Sequence, residues 1–313
     1  MKLEDLQYSL SNPPVDEKNF DVEKWQNENP VDYFKCLYLL EQVQGVAKDV
    51  AFQSIYKVMR LYLPDILYKY YSLGSAQEKN QIKFETLQKQ QIFLSAISSF
   101  NDPFDSKAYY YDPEPLKKLP RLKPHGGKLV DDFTAFTRAS SLTANGVQSM
   151  PMWAHYANNH AGFCVSYDMK DKRNLALSSC TFPVQYTDQR LDITSLTLRQ
   201  AQMLSSEIDR QSQLGQKEIL INDLSMIYAP LLLCNIKHSS WAYEKEFRCT
   251  MGQTAPGMPY VEAKPNAIYA GMKCSERNLM QLKQIASTLK LPLYQMYFDE
   301  LSEAYELSIR KVN

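Results

Sequence analysis

Early in the chain, apolar positions recur at helical spacing. Leu39, Val43, Val46 and Val50, then Ile55, Val58 and Tyr62, fall three or four apart, so residues 31–63 read as helical. Gly45 divides or weakens that run, and Pro64 closes it. Residues 1–30 ahead of it are polar and read as a leader.

From Asp65 the pattern changes. ILYKYYS is dense in aromatic and branched residues and predicts a strand, GSAQEKNQIKFETLQKQ a helix, and QIFLSAI a second strand. FNDPFD is a loop by composition, and FTRASSLT a short extended piece. SMPMWAHYANNH predicts a helix, with Ser149 as its N-cap and Pro151 in its first turn; GFCVSYDM and TFPVQYT are strand-like. Leu191 to Lys237 is amphipathic and predicts two helices inserted between core strands. EFRCTM and AIYAGM follow as strands, then a helix from Glu276 to Lys290, then PLYQMYF as a last strand.

Helices and strands mix without strict alternation, which predicts an α+β fold: a central mixed sheet with inserted helices and an N-terminal helical block. The division expected is a polar leader and helical cap over 1–64, then a main domain over 65–313 with its helical insertion around 191–237. The helical block suits the docking of a partner protein.

Composition narrows the class. Six cysteines are scattered through 313 residues with no CxxC pair, which argues against a disulfide scaffold or a structural zinc site and for a reducing cytoplasm. The first residues are polar and acidic, unlike a secretory signal, and Met226–Cys234, the most apolar stretch, is too short to span a membrane. With 35 basic and 35 acidic side chains there is no net positive field to favour nucleic acid. Locally, Leu116–Leu129 carries Lys117, Lys118, Arg121, Lys123, His125 and Lys128 with no acid; it is a solvated loop or one that contacts phosphate.

Candidate chemistry falls in three blocks, since GxGxxG, GxxxxGK[ST], HExxH and GxSxG are all missing. In FNDPFD, Asn101, Asp102 and Asp105 either bond their own backbone or orient a ligand or a neighbouring base. In MWAHYANNHAGF, a continuous helix puts Trp153, Tyr156 and His160 on one face and His155 and Asn159 on the next. The two histidines are five apart, not the four that zinc helices use, and no metal site is expected. In WAYEKEFR, extended alternation puts Glu244, Glu246 and Arg248 on one strand face, as a solvated edge or as a carboxylate pair in a cleft with one member held ionised by Arg248.

In this order, FNDPFD, SSLT, MWAHYANNHAGFCVSYD and WAYEKEFR resemble a widespread bacterial family catalogued as a domain of unknown function, over about Tyr68 to Gly271. A weaker resemblance is to mono-ADP-ribosyltransferases, carried by LYKYYS, RASSLT and the Glu244-Lys245-Glu246 triplet. It implies a compact mixed sheet that clamps NAD as substrate, and a toxin or antiphage effector whose acceptor is a protein or nucleic acid. By the same resemblance, Glu246 stabilises the oxocarbenium and Glu244 orients the acceptor. Ser140, Ser141 and Thr143 stand for the family's Ser-Thr-Ser element, here SSLT. Lys69 and Tyr70 replace its first-strand basic residue, with Arg138 as another cation. Tyr70, Trp153 and Tyr156 offer aromatic surface to nicotinamide or adenine. His155 joins the catalytic candidates and Arg248 the NAD-binding ones, while Asn101, Asp102, Asp105 and His160 are supporting residues. Two other readings stay open: a metal-dependent nuclease using Asp102, Asp105, His155 and Glu246 with the basic loop on phosphate, and a non-catalytic ligand-sensing module.

Overall fold

The computed structural model describes residues 20–43, 46–105, 107–128, 137–219, 225–252 and 259–312. The fold is α+β, built on a nine-stranded mixed sheet. In spatial order eight of its strands are Ser308–Lys311, Leu293–Tyr297, Ala267–Ala270, Phe163–Asp168, Ile66–Tyr71, Thr137–Thr143, Glu246–Gly252 and Thr181–Pro183. Ser95–Ala96 adds to the Thr137–Thr143 strand. Neighbours run antiparallel except Ala267–Ala270 and Leu293–Tyr297, which are parallel.

Alternation along Ile66–Tyr71 divides two cores. Leu67 joins Val165, Ile268 and Leu293 in the main core, under the helices Gln77–Gln88 and Glu276–Leu289. Tyr70 points the other way and meets Trp153 edge-on, with ring centroids 5.0 Å apart. The helix Glu276–Leu289 starts at Ser275, whose hydroxyl accepts from the Asn278 amide, and stops where Lys290 turns left-handed.

The N-terminal helices pack inward. Tyr33–Gln42 and Val46–Met59 share a second core with Leu196, Leu232, Leu233 and Phe182. The Tyr33 hydroxyl donates to the Pro183 carbonyl at 2.6 Å, tying this block to the sheet edge. A helix at Val22–Glu28, capped by Asp21, lies where the sequence suggested only a polar leader. Gly45 lies outside the described residues.

Four elements differ from the sequence expectation. QIFLSAI is two strands: Gln91–Phe93 pairs with Tyr260–Glu262 in a separate ribbon, while Ser95–Ala96 enters the main sheet. TFPVQYT also divides after Pro183, and Gln185–Thr187 pairs in parallel with Ile236–His238. The helix over SMPMWAHYANNH ends at Tyr156, and the Ser149 side chain makes no cap bond. Asn158, Asn159 and His160 all have positive φ, so the two helical faces expected to include Asn159 and His160 do not form. Last, WAYEKEFR is not extended throughout: Ser239–Glu244 is a 3-10 helix, Lys245 is left-handed, and the strand begins at Glu246.

One seam in the sheet is thin. Thr137–Thr143 keeps a continuous ladder with Glu246–Gly252, but it pairs with Ile66–Tyr71 at a single position, Tyr68 opposite Thr143. Beyond that pair the two strands diverge, and a cavity of about 630 Å³ opens between them.

Candidate active site

Glu246 sits at the start of its strand, directly across from Thr143. Its backbone amide donates to the Tyr186 hydroxyl at 2.8 Å. Its carboxylate is saturated with donors. Oε1 accepts from Ser141 Oγ at 2.5 Å and Arg248 Nε at 2.8 Å; Oε2 accepts from Lys237 Nζ at 3.0 Å and Arg248 Nη2 at 3.1 Å. Burial alone raises the acid's pKa, but Arg248 and Lys237 outweigh it and hold the pKa at about 2. Glu246 is therefore a fixed negative charge at neutral pH.

Glu244 reaches the same place by another route. The left-handed Lys245 lies between the 3-10 turn and the strand, and both glutamates close on Lys237. Glu244 Oε2 accepts from Lys237 Nζ at 2.7 Å, and Oε1 accepts from the Tyr156 hydroxyl. Burial and the charge on Glu246 raise the Glu244 pKa, with Lys237 working against them. The two carboxylates are thus pushed apart in acidity, as a pair with different tasks requires.

Arg248 is fully buried beneath them. Its Nη1 donates to the Cys234 carbonyl at 2.6 Å, its Nη2 pairs with Asp105, and its guanidinium lies 5.4 Å from the centre of the Phe100 ring. This explains FNDPFD: Phe100 and Asp105 clamp Arg248, while Asp102 Oδ1 accepts from the Phe104 amide at 2.9 Å and shapes the turn. Burial raises the Asp105 pKa against the pull of Arg248.

Of the residues singled out from sequence, Glu244, Glu246, His155, Tyr156, Ser140 and Ser141 line the cavity. Lys69, Tyr70 and Asn101 line it as well. Lys69 crosses the seam, donating to Ser140 Oγ at 2.6 Å, and burial lowers its pKa to about 8. Trp153 is elsewhere: it is fully buried against Tyr70, and its indole N–H donates to the Val147 carbonyl at 2.6 Å, so its ring is a core element rather than a ligand platform. Arg248 and Asp105 lie below the cavity wall, and Arg138, Asp102 and His160 do not line it. His160 stacks on Trp153 with centroids 6.3 Å apart.

Much of the NNHAGF segment is architecture. Asn158 Nδ2 donates to the Leu73 carbonyl at 2.7 Å, and the Gly162 amide to the Ala157 carbonyl at 2.7 Å. A Cβ on Gly162 would meet the Tyr71 carbonyl oxygen at 2.0 Å, so only glycine lets this turn lie against the first strand.

Lys237 was not singled out from the sequence. It falls at the end of a run that reads as helical, whereas the structure puts it on the strand Ile236–His238. Strand alternation there, with Ile236 buried in the second core, was the only available signal. Lys117 and Arg121 of the basic loop pair with Glu114 and Asp209, and none of the loop's described residues lines the cavity. Among the described residues, no three or more His, Cys, Asp or Glu side chains are grouped to hold a metal, and no helix is long and apolar enough to cross a membrane.

Residues 152–249 match the model of a family described as a protein of unknown function, DUF2971. The match takes in Tyr156, Lys237, Glu244, Glu246 and Arg248, though not the first strand or FNDPFD. No curated protein and no solved structure matches the chain.

Proposed function

We propose that the cavity binds NAD and that the protein is an ADP-ribosyltransferase-type enzyme. One observation carries the reading: an ionised glutamate, a second carboxylate of raised pKa, and the Lys69–Ser140 contact all border one hollow at a seam in the sheet. A volume of about 630 Å³ is in the range of small-molecule sites.

Cleavage of the N-glycosidic bond sends its electron pair to nicotinamide and leaves positive charge on the ribose carbon. A carboxylate held in place before the reaction stabilises that charge without reorganising. Glu246 is suited to this task and unsuited to taking a proton, because four donors fix it. Glu244, whose carboxylate has Tyr156 and Lys237 as its partners among the described residues, is suited to receive the proton that the acceptor loses as its oxygen or nitrogen bonds to the ribose carbon. Water in the acceptor's place gives NAD hydrolysis by the same route.

The test is nicotinamide release from NAD by the purified full-length chain, with and without cell extract, followed by chromatography. Wild type should release nicotinamide. Glu246→Gln should release about 100-fold less while keeping a cooperative melting transition. No release under either condition, or equal release by the variant, overturns the proposal.

A further inference from the structure

Opposite the carboxylates, the cavity has a wall of the other charge. Lys79 and Lys83 are four residues apart on the helix Gln77–Gln88, hence on one face, and both line the cavity. Among the described residues neither forms an ion pair with a carboxylate. Lys83 Nζ donates to the Ser72 carbonyl at 2.6 Å and to Ser72 Oγ at 3.1 Å. An ammonium has three protons, so this anchoring uses two and leaves one. Burial, and then the neighbouring charge of Lys79, lower the pKa of Lys83, which an approaching anion would reverse.

The two charged poles are well separated. Tyr68 is level with Thr143, which is itself level with Glu246, while Lys83 is anchored at Ser72. Tyr68 lies within the strand Ile66–Tyr71 and Ser72 directly follows its end, four residues on, so at about 3.3 Å per extended residue their backbones are about 13 Å apart. Tyr71 and Phe93 contribute aromatic wall to the same cavity.

From this arrangement we infer that Lys79 and Lys83 form a phosphate-binding subsite, and that the cavity takes an elongated ligand with phosphate at their end and an electron-poor group at the Glu246 end. Lys83 is the fixed donor. Lys79, exposed and unanchored, closes on the anion from the solvent side. The subsite rests on the NAD reading only for the choice of nucleotide; a cationic wall facing an anionic one defines the class of ligand by itself.

Titration of the full-length chain with ADP-ribose, inorganic pyrophosphate and nicotinamide riboside tests it. Wild type should bind the first two. The Lys79→Ala/Lys83→Ala double variant should bind both about tenfold or more weakly, with nicotinamide riboside affinity unchanged, since the charge-assisted hydrogen bonds to phosphate are lost. Lys83→Arg should retain much of the binding, which excludes a folding defect as the cause. Phosphate binding that depends on the lysines, without nicotinamide release from NAD, upholds the subsite and removes the NAD reading. Cleavage of NAD with the same KM in wild type and double variant does the reverse. Wild type that binds neither ADP-ribose nor pyrophosphate overturns the subsite.

Discussion

Lys237 and Glu246 meet at 3.0 Å with 4% of each residue exposed, and the same ammonium holds Glu244 at 2.7 Å. One buried cation thus carries two buried carboxylates. Removing it leaves like charges facing each other in a low dielectric. Lys237→Met, similar in length but uncharged, should cost about 3–5 kcal/mol at pH 7, measured by urea denaturation. The loss should shrink on acidification, as the glutamates protonate. A variant as stable as wild type at neutral pH would mean that the carboxylates are neutralised by something else.

Glu246 gives stability a pH dependence of known sign. Its pKa in the fold, about 2, lies below the ordinary 4.5, so its contribution is fully present above about 4.5 and is lost as pH falls through about 2. Glu246→Gln should therefore flatten the acid limb of a stability-versus-pH curve between those limits. An unchanged limb would place the acid sensitivity elsewhere.

Lys69 acts at the other end of the scale. The unfolded amine titrates near 10.5 and the buried one at about 8, so between those values the unfolded chain binds more protons and stability should rise with pH. Lys69→Met should remove that rise. Equilibrium unfolding at pH 7.5, 9 and 10 for both proteins is sufficient, and parallel curves would refute it.

Gly162 and Gly74 make a matched pair. A Cβ at Gly162 collides with the Tyr71 backbone, while one at Gly74 meets nothing within 4 Å. Gly162→Ala should cost at least about 1–3 kcal/mol, or abolish soluble expression, because the obstacle is main chain and cannot move aside. Gly74→Ala should melt within a few degrees of wild type. Equal melting temperatures for the two variants would contradict the close approach.

Tyr156 separates chemistry from folding. Tyr156→Phe takes a donor from Glu244 and leaves the aromatic wall in place. Nicotinamide release should fall, mainly in kcat, with a stability loss of about 1 kcal/mol. A change confined to KM would instead make the tyrosine a ligand contact.

Local pattern carried a good deal of this. The aromatic run at 66–71 and the alternation after Glu246 name two strands that border the cavity, and Arg248 beneath Glu246 follows from strand period alone. What pattern missed was set by long-range contacts. Lys237 counts as a helical residue until Ile236 is seen to pair with Gln185. Asp105 looks like a turn residue until Arg248 arrives from 143 positions away. Trp153, among polar neighbours, looked like ligand surface; its burial depends on Tyr70 and Val147, which no helical spacing discloses. The turn after Tyr156 has its one local sign in two asparagines, residues that tolerate left-handed backbone.

The lone pairing of Tyr68 with Thr143 has a mechanical side. A ladder of many rungs resists shear along its whole length, whereas one rung leaves the two strands to be held by side chains and by the core they share. The Lys69 ammonium, clasping Ser140 Oγ and the Ser141 carbonyl, and the Tyr70 hydroxyl, on the Gly146 carbonyl, tie the two sides by side chains instead. A guest that draws that ammonium to itself trades one of these ties for its own contact.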